Sequence, residues 1–311
     1  MDTQENLEKD FRCGMVSIIG RPNTGKSTLL NAIVDEKIAI VSSVPQTTRS
    51  RIRGIYNDKR GQIIFIDTPG LHLPQDRLGA WMNSTAEGTM HEADCIIYLV
   101  DANKPTGQEE EMIVSRLKNI KTPVILGLNK VDLNGKRADE YISLWEKVKG
   151  KPITEMKSFV LLPLSGETRY NIDTLISLIF EFLPVGPALY PTDIVSDMPQ
   201  KMAIADIIRE KLFAMMREEV PHSLAVNVEE ITLKQKKVTY IRAEILVERD
   251  SQKEIVIGKG GQVLKKVGTL ARIELEELLE SKVFLDLNVK WQKKWRDDDT
   301  VLQDLGYGQD A

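Results

Sequence analysis

Cysteine is nearly absent: Cys13 and Cys95 are the only two in 311 residues, each inside an apolar, strand-like run. No CxxC pair and no His/Cys ligand spacing accompanies them, which excludes a disulfide-stapled fold and a zinc site and suits a reducing compartment. No apolar run approaches the roughly 20 residues needed to span a bilayer. The polar opening MDTQENLEKD lacks the basic-then-apolar order of a signal peptide, so the expected location is cytoplasmic. Neither sign of charge dominates, and a net charge of −4 argues against indiscriminate polyanion binding. Any nucleic-acid surface must be a local patch. What is present is the balance of an ordinary globular chain, 42 % hydrophobic and 28 % charged, with a length that suits about two domains. There is no internal repeat.

From residue 13 short β-branched runs alternate with amphipathic segments: CGMVSIIG, KSTLLNAIV, QIIFIDTPG, DCIIYLVDA, a helix near 108–119, PVILGLNKVD and SFVLLPLS. Runs such as IIFID and CIIYLVD are apolar at successive positions, as strands covered on both faces must be. The expected fold is therefore α/β, a mostly parallel sheet flanked by helices, with the segment from Arg51 to Tyr56 pairing antiparallel. The stretch PVGPALYPTDIVSDMP breaks both periodicities and marks a linker. Beyond it come a helix from Ala203 to Arg217, strands from Ala225 to Thr232 and Val238 to Glu248, two helices around a glycine turn, and a strand from Val283 to Val289. That order, α-β-β-α-α-β, is α+β. The expected boundaries are a polar lead-in 1–12, a first domain 13–185, a linker 186–198, a second domain 199–296 and a tail 297–311. The tail should begin as a short helix, its acidic run a solvated face.

Gly20-Arg21-Pro22-Asn23-Thr24-Gly25-Lys26-Ser27 matches GxxxxGK(S/T), after the apolar run MVSII and before the helix opening at Thr28. The glycines let backbone N–H groups curl inward, and the helix start adds positive potential, making an anion nest. Lys26 would neutralise the β- and γ-phosphates, and Ser27 would offer a hydroxyl to Mg²⁺. Asn129-Lys130-Val131-Asp132 follows PVILGL and selects the base. Asp132 can accept two N–H bonds from guanine, whereas adenine would leave that carboxylate buried and unpaired. Asn129 would tie this loop to the phosphate loop, with the Lys130 stem along the base. Ser165-Gly166-Glu167 would add backbone contacts to the guanine oxygen.

Asp67-Thr68-Pro69-Gly70 follows QIIFI, so Asp67 would hold magnesium through a water, and the Gly70 N–H would reach the γ-phosphate. In PQTTR, Thr48 is favoured over Thr47 as the hydroxyl that binds magnesium in the triphosphate state. Catalysis is assigned to Asn23, Lys26, Thr48 and Gly70. Leu71 stands where Ras-like GTPases carry a water-orienting glutamine, which predicts slow intrinsic hydrolysis. His72 comes next and is a candidate base, but a histidine in a switch loop is more often solvated, and that is the expected reading. Asn23 inside the loop is similar to the pattern of GTPases that use K⁺ in place of an arginine finger.

In Val256-Ile257-Gly258-Lys259-Gly260-Gly261-Gln262 a GxxG turn joins two helices, where an RNA backbone can approach closely. The expected RNA-binding residues are Gly258, Lys259, Gly260, Gly261, Lys265 and Lys266. Arg272, Lys290, Lys293, Lys294 and Arg296 would thicken the positive face, while Trp291 and Trp295 would either stack on bases or cover the domain core, with packing favoured. The module reads as a type II KH domain. An alternative is a signalling GTPase with a protein effector and a structural second domain.

GRPNTGKSTLLNAI, PQTTR, DTPGLH, NKVD, VIGKGGQVLKKVG and WRDDDTVLQDLGY, in this order and spacing, resemble the bacterial Era family of GTPases over nearly the whole chain. The resemblance implies GTP and GDP as ligands, binding to the 3′ end of small-subunit (16S) ribosomal RNA, and a role in 30S subunit assembly. It also implies peripheral association with the inner membrane. No stable oligomer is inferred. Gly166 replaces a usual alanine and Asn171 a later glycine, the latter a residue that tolerates left-handed backbone. On this reading Asp132→Asn abolishes the preference for GTP over ATP, a loss of roughly a hundredfold or more in calorimetric affinity ratio.

Overall fold

A computed structural model describes residues 10–234 and 237–307; positions 1–9 of the expected lead-in and 308–311 of the expected tail lie outside the described residues. The chain forms two compact units. The first takes in described residues up to 39 with 48–73 and 82–197. Its strands are β1 (Arg12–Ile19), β2 (Ile52–Asp58), β3 (Gly61–Asp67), β4 (Cys95–Asp101), β5 (Val124–Asn129) and β6 (Phe159–Pro163). They make one sheet ordered β2-β3-β1-β4-β5-β6, in which only β2 and β3 run antiparallel.

Connections run through helices α1 (Lys26–Val34), α2 (Arg77–Glu92), α3 (Gln108–Leu117), α4 (Ala138–Lys149) and α5 (Ile172–Phe182). Every residue of β3 and β4 is buried, which is why their sequences run apolar without alternation. A core layer packs Tyr98, Ile113, Val114 and Trp145, with Trp145 stacked between Tyr98 and Phe159. Both cysteines are buried and free, and burial pushes the Cys95 thiol up to about 12, so it is inert at neutral pH. Because β1, β3, β4 and β5 are parallel, the motifs that follow them collect at one carboxyl edge.

The expected linker is irregular in conformation but anchored to the first unit up to residue 197. Gln62 Oε1 accepts from the amides of Leu189 and Tyr190 at 2.8 and 2.9 Å, the Ile55 amide donates to Val195 O at 2.9 Å, and Arg53 pairs with Asp197 at 2.8 Å. Edge strand β2 offers unpaired backbone groups, and this segment satisfies one of them.

The second unit comprises 198–307 of the described chain with two short segments, 40–47 and 74–81. It contains α6 (Gln200–Met215), α7 (Val220–Ser223), β7 (Leu224–Lys234), β8 (Val238–Val247), α8 (Asp250–Ile257), α9 (Gln262–Leu278), β9 (Lys282–Trp291) and α10 (Asp299–Asp304). Apart from the one-turn α7 and the closing α10, this is the expected α-β-β-α-α-β order. The sheet is β7-β8-β9, with β7 antiparallel and β9 parallel to β8. Ile204, Ile208, Leu212, Val256, Val267 and Leu275 fill the core beneath it.

One expectation is corrected here. Trp295 packs as assigned, fully buried with its Nε1 donating to Ser223 O, but Trp291 is half exposed. The acidic run keeps the solvated position expected of it, with Asp297 and Asp299 exposed, and it also bonds: Asp298 caps α10 by accepting from the Thr300 and Val301 amides, Asp297 accepts from the Arg77 amide, and Asp299 pairs with the Arg77 guanidinium. Arg209 is also buried, held by Asp206 at 2.6 Å, donating to Tyr307 Oη at 2.7 Å and to Thr47 O at 2.9 Å. The Tyr307 ring in turn lies 5.5 Å from that of Trp81.

Candidate functional site

Gly20 to Ser27 wraps from the end of β1 into the start of α1. Gly25 has φ 95°, and a Cβ there would lie 2.4 Å from Asn129 Nδ2. Only glycine admits both that backbone and that neighbour. Lys26 is buried, and its amine donates to Gly20 O at 3.2 Å and Arg21 O at 3.1 Å. Burial lowers its pKa to about 8 against the pull of Asp67, so an approaching phosphate would restore the full positive charge.

Ser27, Thr48 and Asp67 converge. Ser27 Oγ donates to Asp67 Oδ2 at 2.6 Å and lies 2.9 Å from Thr48 Oγ1, while Asp67 Oδ1 is buried without a partner. Burial raises the Asp67 pKa despite Lys26 and the two hydroxyls. Hard oxygen donors with an unsatisfied buried carboxylate oxygen fit Mg²⁺. Among the described residues no group of three or more His, Cys, Asp or Glu converges, so a transition-metal centre has no ligand set there. Thr47 turns away, its hydroxyl donating to Val44 O at 2.6 Å, which favours Thr48 as the metal donor.

After β3, Thr68 Oγ1 donates to Ile18 O, and a Cβ on Gly70 would sit 2.6 Å from Pro22 N, so the DTPG backbone runs against the phosphate loop. The Leu71 amide donates to Gly20 O, and the Leu71 side chain is fully buried. His72 is not solvated as expected. It is buried with Nδ1 2.8 Å from Gly70 O, and Asn83 bonds both its backbone N–H and C=O. Asn83 therefore fixes the strand-to-helix segment, and no sequence motif marked it.

Asn129 closes the base side. Its Nδ2 donates to Thr24 O at 2.7 Å and its Oδ1 accepts from the Gly166 amide at 3.1 Å. Lys130 has left-handed φ, and its Nζ reaches Asn23 O at 2.7 Å and Asp101 at 2.9 Å. Asp132 is exposed in a 3₁₀ turn, so its expected burial would come from the base itself. Ser165 and Gly166 are buried and Glu167 is exposed. Asn171 has φ 60°, the left-handed backbone anticipated for it. Pro22 and Thr28 are half-buried, and Asn23 is exposed with φ 63°.

In the second unit the Lys259 to Gly261 turn joins α8 to α9, with φ of 74°, 59° and 75° at Gly258, Gly260 and Gly261. A Cβ on Gly258 would strike Val263, whereas none would meet anything at Gly260. Lys259, Lys265 and Lys266 are exposed beside it. Arg272, Lys290 and Arg296 are instead paired with Glu276, Glu244 and Glu248, so the positive face is narrower than expected. Sequence reasoning also missed Arg209, although an arginine between Ile208 and Leu212 in an otherwise apolar stripe was a usable signal.

Residues 15–130 match the family model of 50S ribosome-binding GTPases, and residues 219–296 that of the KH domain. The chain is 42 % identical over 297 residues to GTPase Era of Halothermothrix orenii, covering 96 % of this chain and 99 % of that one. It is 46 % identical over 302 residues to GTPase Era of Geobacter metallireducens, again across 96 % and 99 %. Two crystal structures superpose on it at 38 % identity. A variant of Aquifex aeolicus Era bound to GDP·AlF₄⁻ gives a TM-score of 0.87, covering 96 % of this chain and 100 % of that one. Era in complex with MgGDPNP and nucleotides 1506–1542 of 16S ribosomal RNA gives 0.88, covering 96 % and 99 %.

Asn129→Ala leaves the Thr24 carbonyl and the Gly166 amide without their buried partner. Nucleotide affinity should fall about tenfold to a hundredfold in a titration with labelled GDP, chiefly through faster release.

Proposed function

The chain belongs to the Era family of GTPases, and we propose that its nucleotide state sets the grip of its KH domain on the 3′ end of 16S ribosomal RNA during 30S subunit assembly. The observation that carries this reading is the pairing, in one chain, of the converged Ser27, Thr48 and Asp67 beside the phosphate loop with the open Gly258–Gly261 turn. Bound Mg²⁺ would neutralise charge on the phosphate oxygens as the terminal bond breaks. Lys26 meets the β- and γ-phosphates, Gly70 offers its amide to the γ-phosphate, and Asp132 takes the guanine N–H groups. Leu71 is buried at the position after Gly70 and cannot orient a water, so intrinsic hydrolysis is slow. Asn23, exposed on the loop, has an amide oxygen suited to holding K⁺ beside the phosphates.

The switch has a local basis. Thr48 bonds within the magnesium-binding set, while the carbonyl of the preceding residue, Thr47, accepts from Arg209 of α6. Loss of the γ-phosphate and of the metal contact at Thr48 therefore reaches, one peptide away, a segment of the unit that carries the KH fold. The protein acts in the cytoplasm on this reading. Peripheral attachment to the inner membrane follows from the family alone, and among the described residues no helix is long and apolar enough to cross a membrane.

Two measurements test the proposal. GTP hydrolysis should run about tenfold or more faster in potassium than in sodium buffer, and equal rates would remove the K⁺ role of Asn23. A 16S 3′-end RNA should bind the GTP-analogue form with affinity falling steeply with salt. Gly260→Asp, whose left-handed φ an aspartate tolerates, should weaken that binding at least tenfold by setting a carboxylate against the phosphates. In-cell cross-linking that recovers scattered transcripts without ribosomal enrichment would favour a signalling switch with a protein effector.

A further inference from the structure

Within the first unit, against the phosphate-binding loop, lies a charge that the nucleotide chemistry does not use. Glu110, in the first turn of α3, has no solvent exposure. Its Oε1 forms an ion pair with Arg21 Nε at 2.9 Å, and no hydroxyl or amide of another residue bonds either carboxylate oxygen. Arg21 is the second residue of the loop. Facing the same carboxylate are Tyr98 of β4, whose hydroxyl is buried and unpartnered, Tyr141 of α4, and Glu109 of its own helix. The Tyr141 hydroxyl is committed to the carbonyls of Asp101 and Lys104.

This arrangement works against folding. Burial pushes the Glu110 pKa up to about 7 in spite of the Arg21 guanidinium. An acid whose folded pKa exceeds its unfolded value holds more protons folded than unfolded between those two values, so stability falls as pH rises through that interval. A buried ion pair of this kind is commonly no more stable than a neutral replacement, and its retention points to a role at the site it touches.

We propose that Glu110 is a positioning residue of the nucleotide site, its buried carboxylate holding the Arg21 guanidinium and so fixing the curled backbone of the phosphate-binding loop. The inference rests on reading Gly20–Ser27 as the nucleotide loop. The Arg21 carbonyl is one of the two acceptors that orient the Lys26 amine, and the next residue, Pro22, is the one Gly70 runs against. A slack Arg21 would therefore disturb both the phosphate-binding lysine and the γ-phosphate sensor. Ionised Glu110 holds the loop; protonated Glu110 releases it.

Release of a fluorescent GDP analogue from the full chain, chased with GDP at fixed Mg²⁺ from about pH 5.5 to about pH 8.5, tests this. Glu110→Gln should release the analogue about fivefold faster than wild type near pH 8, and at the same rate near pH 5.5, where the wild-type carboxyl is itself protonated. Titration of the nucleotide phosphates is common to both proteins and cancels in the ratio. A purely structural glutamate predicts a lower melting temperature for the variant, whereas positioning predicts one no lower than wild type near pH 8. A rate ratio that does not change with pH, or faster release accompanied by a lowered melting temperature, overturns the proposal. Should Glu110→Gln not fold, Arg21→Gln takes its place: its release should lack the neutral inflection of wild type, and an unchanged inflection overturns the proposal equally. A wild-type chain that binds no analogue would instead sink the nucleotide reading on which this rests.

Discussion

One buried amide holds the nucleotide loops in register. Asn129 is 2 % exposed and spends both ends of its side chain on backbone, one on Thr24 of the phosphate loop and the other on Gly166 of the third loop. It is the last residue of β5, and its register opposite Asp101 of β4 sets where that amide points. The neighbouring Lys130 then clamps Asn23 and Asp101. These loops are thus parts of one hydrogen-bonded piece, and Gly25 must lack a side chain at the point where the amide passes. Preorganisation of this kind lowers the ordering cost of binding.

The charged groups around that frame are arranged in the opposite sense. Burial lowers the Lys26 pKa to about 8 and raises that of Asp67, so both charged forms are disfavoured by desolvation. A polyphosphate and a divalent cation relieve both at once, because each brings the counter-charge the other side chain lacks. Any ligand that binds the folded chain alone then stabilises it by mass action.

Much of this was legible in the sequence for a definite reason. Motifs that depend on backbone conformation, such as the glycines of the phosphate loop and the GKGG turn, are written in residue types that few other roles demand. Strands β3 and β4 were readable because burial on both faces removes alternation. What stayed hidden depends on long-range packing. His72 looks like any loop histidine, and only the fold brings Asn83 across to its backbone. Glu110 sits in a run of three glutamates, and nothing local distinguishes the buried member from Glu109 and Glu111. The proline-rich stretch marks a linker because its composition breaks both periodicities; composition cannot reveal that Gln62 anchors it.

Thr47 and Thr48 carry the last step. These adjacent threonines face two environments with no intervening chain. Thr48 faces Ser27 and Asp67, while Thr47 bonds Val44 with its hydroxyl and receives Arg209 on its carbonyl. The Arg209 guanidinium is buried and bound to Asp206 and Tyr307, so it cannot follow a moving loop without losing partners that water would not replace. A displacement of Thr48 must then either stop at the Thr47 peptide or break a buried charge-assisted bond. On the proposed reading, that choice between two discrete arrangements, rather than gradual flexing, is what would let Thr48 act as a switch.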